Sequence, residues 1–277
     1  MLGALIIVFR EAIEAGLIVG IVLAVTRGVS GSRAYVTGGF AAGVVGALLV
    51  AFFADRLSRA FAGSGQELFN AAVLSLAVAM LAWHNIWMSR HGREMAQDLS
   101  NVGKAVVSGE RTLFALATVV GLAVLREGSE VALFLYGVLA SGESGFDVFV
   151  GGLAGLALGG ATSVATFYGL VAIPPKKLFA VTTTLITLLA AGLAAQCVAF
   201  LQQAGVIEAL SDTAWDSSWL LSDKSILGRV LHTLVGYADQ PSVLQVVVYA
   251  ATLAAIYLAT KLAAPRAPMA ALHTPAE

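Results

Sequence analysis

Two short charged motifs lie in stretches of sequence that are otherwise apolar. Both have the pattern Arg-Glu-x-x-Glu, at residues 10–14 and again at residues 126–130. On a helix, the two glutamates of each motif are three residues apart and share a face, and the arginine is four residues from the second glutamate and can pair with it. One arginine and two glutamates leave each motif with a formal charge of −1. We therefore predict that a bound cation supplies the missing charge.

The four carboxylates of the two motifs are the candidate ligands for this cation. Carboxylate oxygens are hard ligands, which suit iron, manganese or magnesium better than soft, thiol-seeking ions. The hydroxyl of Ser129, inside the second motif, could add a further ligand. The predicted metal ligands are Glu11, Glu14, Glu127 and Glu130, with Arg10 and Arg126 as their supporting partners.

The surrounding composition indicates that lipid is the solvent of this chain. Of its 277 residues, 58% are hydrophobic and 12% are charged, against roughly 45–50% and 25% in an ordinary soluble domain. The mean hydropathy is +0.87. This composition argues against a soluble enzyme and a nucleic-acid binder, and a single cysteine, Cys197, excludes a disulfide framework.

We predict an all-α, polytopic membrane protein with seven transmembrane helices, because a span needs about 20 predominantly apolar residues. The chain would form one permease domain over residues 1–277. The predicted spans are 2–26, 35–54, 66–89, 113–140, 149–171, 179–203 and 243–262, followed by a tail over 263–277.

The distribution of Lys and Arg predicts how the chain is oriented in the membrane. Ten of them fall in the connections after odd-numbered spans and in the tail, and four fall on the opposite side. Because basic residues are concentrated on the cytoplasmic side, we expect the N-terminus outside, the C-terminus in the cytoplasm and a multi-pass location in the cytoplasmic membrane, in contact with its lipid.

The two motifs also indicate an internal repeat. Residues 9–24 and 125–140 align at an offset of 116 with seven identities in sixteen positions. Since spans 1 and 4 would run in opposite directions, spans 1–3 and 4–6 would form an inverted repeat, with span 7 outside it and a site at the midplane between the halves. The repeat units would cover about 1–90 and 112–203, followed by an outer connection over about 204–242.

Two other interpretations of the motifs are possible. The Arg–Glu pairs could simply lock helices together, but this explains only one glutamate of each motif. An intramembrane metal or redox protein would need histidine or cysteine at membrane depth, where only His84 and Cys197 are candidates.

Several further residues are candidates for the ion pathway. His84, on the cytoplasmic side of the centre of span 3, could help an ion to leave or could hydrogen-bond a neighbouring helix. Gln196 in span 6 could line an entry path or make a similar interhelical bond. The acidic connection 204–242, which contains Asp216, could lie along the interface or serve as a partner dock or ion funnel.

The chain resembles the oxidase-dependent iron permeases, a family that includes the fungal high-affinity iron permeases and bacterial EfeU-type proteins, within the iron/lead transporter superfamily. The likeness rests first on the doubled Arg-Glu-x-x-Glu motif. It extends to Trp87-Met88, to Ala190-Ala191-Gly192-Leu193 with Gln196, and to the tract from Trp215-Asp216 through Gly236-Tyr237 to Tyr249.

The resemblance implies a permease, not an enzyme, that imports iron as Fe3+ or Fe2+ and holds no permanent cofactor. It implies that the four glutamates bind the ion and that the two arginines hold the carboxylates. Implied partners are periplasmic iron-binding proteins or ferroxidase- and peroxidase-type proteins, and no nucleic acid. Lead, manganese and zinc remain alternative substrates. An acidic E-D-L-W-E pattern of fungal relatives is reduced here to Glu67, which weakens an outer accessory site.

Overall fold

The computed structural model describes residues 1–60, 66–169, 175–223 and 225–263, and the regular secondary structure of these residues is helical, apart from one isolated bridge between Thr213 and Ser242. The predicted tail lies outside the described residues from position 264 onward. The helices of the described residues are α1 (Leu2–Val25), α2 (Ser32–Ala60), α3 (Gln66–Val107), α4 (Phe114–Ala140), α5 (Gly145–Phe167), α6 (Pro175–Gln203), α7 (Ile226–Val235) and α8 (Val243–Ala263).

Five of these helices contain a segment that is long and apolar enough to cross a membrane. The segments are Ser32–Ala54, Gln66–Met88, Gly145–Phe167, Ala180–Gln203 and Val243–Leu262. Helices α1 and α4 are of similar length, with 24 and 27 residues, but each contains three charged residues in its middle. The predicted all-α class is confirmed, and five of the seven predicted spans overlap such a segment among the described residues.

Two elements differ from the sequence prediction. Helix α3 continues to Val107 and has 42 residues, about 63 Å at 1.5 Å per residue, which is roughly twice the hydrocarbon core of a bilayer. Its second half is held by apolar contacts, since Leu99 and Val106 belong to a buried cluster with residues of α1 and α4. The connection 204–242 contains the short helix α7, which begins at the N-cap Ser225 and ends at Gly236 in the left-handed conformation (φ 70°).

Glycines allow two pairs of helices to cross with their backbones in contact. Helix α1 packs along α5, and α2 packs along α4. A Cβ added at Gly155 of α5 would lie 2.9 Å from the backbone nitrogen of Phe9, and one added at Gly43 of α2 would lie 3.0 Å from that of Leu125. Small residues at such crossings let helices approach closely in lipid.

The charged motifs occupy a layer between two apolar clusters. One cluster includes Ile7 of α1 and Phe134 of α4, together with α3 and α6 residues. The other includes Val22 of α1 and Val120 of α4. Because both motifs fall between these positions on their helices, the packing brings the motifs to the same level of the bundle.

Candidate metal centre

Four side chains from three helices converge in the layer between the apolar clusters. They are Glu11 of α1, His84 of α3, and Glu127 and Glu130 of α4. One potential ligand atom from each lies within 4.8 Å of the others. Glu11, His84 and Glu127 are buried, and Glu130 is partly buried. The dimensions and the chemistry of this group suit a single metal ion with oxygen and nitrogen ligands.

Glu11 and Glu127 are the buried carboxylates at the middle of the group. Both oxygens of Glu11 and Oε2 of Glu127 have no hydrogen-bond partner among the described residues. A buried carboxylate without a donor is costly unless another charge compensates it. A cation, a water molecule or a proton between these oxygens would compensate them.

Glu14 belongs to a chain of hydrogen-bonded side chains on one side of the ligand group. Its Oε1 accepts a hydrogen bond from Arg10 Nε at 2.8 Å, and Arg10 Nη1 donates to Asn85 Oδ1 at 2.9 Å. Asn85 Nδ2 in turn donates to Thr187 Oγ1 of α6 at 3.3 Å. The side chains of Arg10 and Glu14 are only 2% and 1% exposed, so this pair is sealed inside the bundle.

His84 lies between the two motifs. Its Nε2 is 3.5 Å from Glu14 Oε2, and its Nδ1 is in direct contact with Glu130 Oε2. One imidazole thus links the second glutamate of each motif. The sequence indicated either a helix contact or an exit role for His84, whereas the structure brings it into the ligand group itself.

The second motif faces a cavity of about 600 Å³. Arg126 Nε donates to Glu130 Oε1 at 3.0 Å, and the guanidinium lies over the Trp87 ring at 4.1 Å from its centroid. The Arg126 side chain is 35% exposed and that of Glu130 is 15% exposed. The cavity is lined by Ala79, Met80, Trp83, His84, Trp87, Arg126 and Glu130.

A second groove, of about 660 Å³, runs along the crossing of α2 and α4. No acidic or basic side chain is among its lining residues, so it offers nothing to hold a metal ion. The two arginines, equivalent in sequence, therefore have different surroundings: Arg10 is sealed, and Arg126 borders a cavity that reaches the ligand group.

The remaining predicted residues lie outside the ligand group. Ser129 Oγ donates to the backbone oxygen of Leu125 at 2.6 Å. Gln196 is half-buried in α6, and Glu67 is exposed at the start of α3.

Asp216 is also away from the group, exposed in the connection before α7. Its Oδ1 accepts from the Ser218 hydroxyl at 2.6 Å and from the Ser218 backbone nitrogen at 2.9 Å, and its Oδ2 accepts from Gln240. The Ser218 hydrogen bonds are the main cause that lowers the pKa of Asp216 from its usual value.

Cys197, the other candidate of the redox interpretation, is likewise not in the group. Its sulfur is 3.2 Å from Ser75 Oγ and donates to the backbone oxygen of Ala71 at 3.3 Å. The described part of the chain thus provides one nitrogen ligand and several carboxylates at this centre, without thiolate.

Sequence reasoning gave no role at the site to Asn85 as the partner of Arg10 or to Trp87 as the ring beneath Arg126. Both lie on α3 close to His84. The available signals were the closeness of His84, Asn85 and Trp87 along one helix and the part that Trp87 has in the family resemblance. Neither specifies which helix each residue contacts.

These features define a multi-pass helical membrane protein with a buried cluster of ionisable side chains. The chain matches the model of the iron permease FTR1 family over residues 1–271. It therefore belongs to that family and is a transporter of the permease type, not an enzyme, and the resemblance seen in the sequence is confirmed.

Curated relatives cover most of the chain. It is 31% identical over 249 residues to a protein named Ferrous iron permease EfeU from Yersinia pestis, covering 88% of this chain and 87% of that protein. It is 30% identical over 255 residues to a protein of the same name from Escherichia coli O6:H1, covering 88% and 89%. No solved structure matches the chain.

Proposed function

We propose that the protein imports ferrous iron across the cytoplasmic membrane and that the ion passes between the two Arg-Glu-x-x-Glu motifs. The observation that carries this proposal is the buried pair Glu11 and Glu127, whose oxygens converge without a hydrogen-bond donor. Membership of the iron permease family and the name of the relatives, ferrous iron permease, support iron, and specifically ferrous iron, as the substrate.

The charge of the centre fits a divalent ion. Four glutamates and two arginines leave the two motifs with a formal charge of −2, which one Fe2+ neutralises. A charge at the bilayer centre costs about 2.5–3.5 kcal/mol even on the insertion scale. Neutralisation of the two negative charges by the bound ion would therefore contribute substantially to the affinity of the site. The same ligands would also admit manganese, zinc or lead, which are the alternative substrates.

We further propose seven membrane spans, formed by α1–α6 and α8, with α1–α3 and α4–α6 as an inverted repeat in a single permease domain. Equivalent contacts support the repeat. Phe9 of α1 and Leu125 of α4 are equivalent positions, 116 residues apart, and Gly43 of α2 and Gly155 of α5 are equivalent positions, 112 residues apart. Gly43 lies against Leu125 in the same way as Gly155 lies against Phe9. In both crossings, residue numbers increase in the same direction along the two helices in contact. Helix α1 therefore runs parallel to α5, and α2 runs parallel to α4, as expected if successive spans alternate in direction.

The orientation proposed from the basic residues places the N-terminus outside. Entry of Fe2+ then follows the membrane potential, which contributes about 4.6 kcal/mol for two charges at 100 mV, equivalent to roughly a 2,000-fold concentration ratio. Uptake would therefore need no ATPase.

The segment before α7, with Trp219 82% exposed, would lie outside in this orientation. It would meet lipid headgroups or a periplasmic iron-binding, ferroxidase- or peroxidase-type partner.

The test is uptake of radioactive Fe2+ into proteoliposomes that contain the purified protein. We expect Glu11→Gln and Glu127→Gln each to abolish uptake, because each removes one of the two facing charges. The exposed Glu67 provides a matched control, and Glu67→Gln should transport like the wild type. Unlabelled manganese, zinc and lead as competitors would rank the alternative substrates. Wild-type uptake in both site variants would overturn the proposed site.

A further inference from the structure

We propose that His84 is a metal ligand and that Glu14 is a positioning residue that holds His84 in place. The ion would be bound by Glu11, Glu127, Glu130 and His84 Nδ1, rather than by the four motif glutamates. This inference rests on the proposed function and assigns unequal tasks to two motifs that are equivalent in sequence.

The position of the imidazole is the first argument. A ligand nitrogen of His84 lies within 4.8 Å of carboxylate oxygens from Glu11, Glu127 and Glu130, and Nδ1 is the nitrogen that faces Glu130. The other nitrogen, Nε2, faces Glu14 Oε2 at 3.5 Å. An imidazole that binds a metal through one nitrogen commonly donates the other N–H to a carboxylate, which fixes the ring and its tautomer.

The contacts of Glu14 are the second argument. Arg10 Nε donates to its Oε1, while its Oε2 accepts no hydrogen bond from the described residues and lies 3.5 Å from His84 Nε2. Arg10 is itself fixed by Asn85. Asn85, Arg10 and Glu14 thus form a buried chain that ends at the ring of His84, and this chain suits orientation of a ligand.

Glu130 has the other arrangement. Arg126 occupies its Oε1, and its Oε2 lies at the group, where it meets His84. The arginine of this motif is bound to a tryptophan ring instead of an asparagine. The equivalent glutamates Glu14 and Glu130 therefore face opposite nitrogens of one imidazole, and only Glu130 belongs to the ligand group.

The proposed inverted repeat identifies the equivalent positions at which the two sides differ. At an offset of 112, Ser75 is equivalent to Thr187, and Asn85 is equivalent to Cys197. A contact between Ser75 and Cys197 should then have an equivalent contact between Thr187 and Asn85. Both contacts are present, at 3.2 and 3.3 Å. The same offset carries His84 to Gln196. One half thus contributes an imidazole where the other half has an amide, and the site is chemically asymmetric.

The consequence concerns metal selectivity. Imidazole suits iron and zinc, whereas sites made only of oxygen ligands suit manganese and magnesium. His84 would therefore favour Fe2+ over Mn2+. The variant His84→Gln makes the two halves alike and leaves only oxygen ligands, and we expect it to lose the preference for Fe2+ over Mn2+ in competitive proteoliposome uptake. His91→Gln, on the same helix but outside the ligand group, is the matched control and should retain the preference.

Glu14→Gln and Glu130→Gln separate positioning from ligation. Loss of an outer partner of a ligand typically lowers metal affinity by about 10–100-fold, so Glu14→Gln should raise the KM for Fe2+ by such a factor while it keeps the maximal rate. Glu130→Gln should abolish uptake. Equal losses in the two variants would overturn the unequal roles.

X-ray absorption spectroscopy of the Fe2+-loaded wild-type protein tests the ligand without any variant. We expect outer-shell scattering from one imidazole, and its loss in His84→Gln. Bound iron with only oxygen neighbours would overturn the inference and leave the proposed function intact. Failure of the wild type to bind or transport iron would instead overturn the proposed function, and this inference with it.

Discussion

Arg10 and Arg126 occupy equivalent positions in the two motifs, yet we expect their loss to have unequal effects on stability. Arg10 is 2% exposed and bonds both Glu14 and Asn85. Replacing it with Met, which has a similar volume, leaves a buried carboxylate without its partner, and breaking such a buried pair costs about 3–5 kcal/mol.

Arg126 is 35% exposed and borders the cavity, where water can replace its contacts. The Arg126–Glu130 pair is partly exposed, so we take its contribution as nearer to that of a surface pair, about 0.2–1 kcal/mol, than to that of a buried pair, and set it at roughly 1 kcal/mol. The stack on Trp87 contributes about 0.5–1 kcal/mol. Arg126→Met should therefore destabilise the protein less than Arg10→Met, by about 2–3 kcal/mol.

Reversible unfolding of both variants in mixed detergent micelles, followed by tryptophan fluorescence, measures this difference. Each variant is compared with the wild type under the same conditions. A cost for Arg126→Met equal to that for Arg10→Met would refute the reasoning, because it would mean that burial of the two arginines does not differ in energetic effect.

Three further predictions concern the uptake assay and the helix crossings. Arg10→Lys should reduce iron uptake, since an ammonium cannot bond Glu14 and Asn85 with the planar geometry of a guanidinium; normal uptake would contradict this. Gly43→Ala and Gly155→Ala should each lower the detergent melting temperature, because the added Cβ meets backbone atoms at both crossings, at a cost of about 1–3 kcal/mol. Gly38→Ala, where an added Cβ meets nothing within 4 Å, should be neutral, and unequal effects at the two crossings would argue against the repeat. Asp216→Asn should leave uptake near the wild-type rate, and a large loss would indicate that the ion passes that segment.

The sequence predicts the helices well where charged residues or glycines bound the apolar runs. The predicted spans coincide closely with α1, α4 and α8, for example 113–140 against Phe114–Ala140. The length of α3 was not readable, because residues 90–104 are polar and resemble a loop by hydropathy. Their helix is stabilised by tertiary contacts of Leu99 and Val106.

The centre was readable only in part. The spacing of the two motifs indicates which carboxylates share a helix face and predicts four glutamate ligands. Glu11, Glu127 and Glu130 belong to the ligand group of the structure, and Glu14 does not. It does not give the axial position of α3 against α1 and α4, which depends on contacts such as that between Gly137 and Ala77. For this reason the sequence indicates only an exit role or a helix contact for His84, whereas the structure has it in the ligand group.

Anomalous X-ray scattering at the iron absorption edge, from crystals of the protein loaded with Fe2+, tests the central claim most directly. The proposal that iron passes between the two motifs predicts one peak within ligand distance of Glu11, Glu127 and Glu130, in the layer between the apolar clusters. A peak elsewhere, such as at Asp216, with none between the motifs would contradict it.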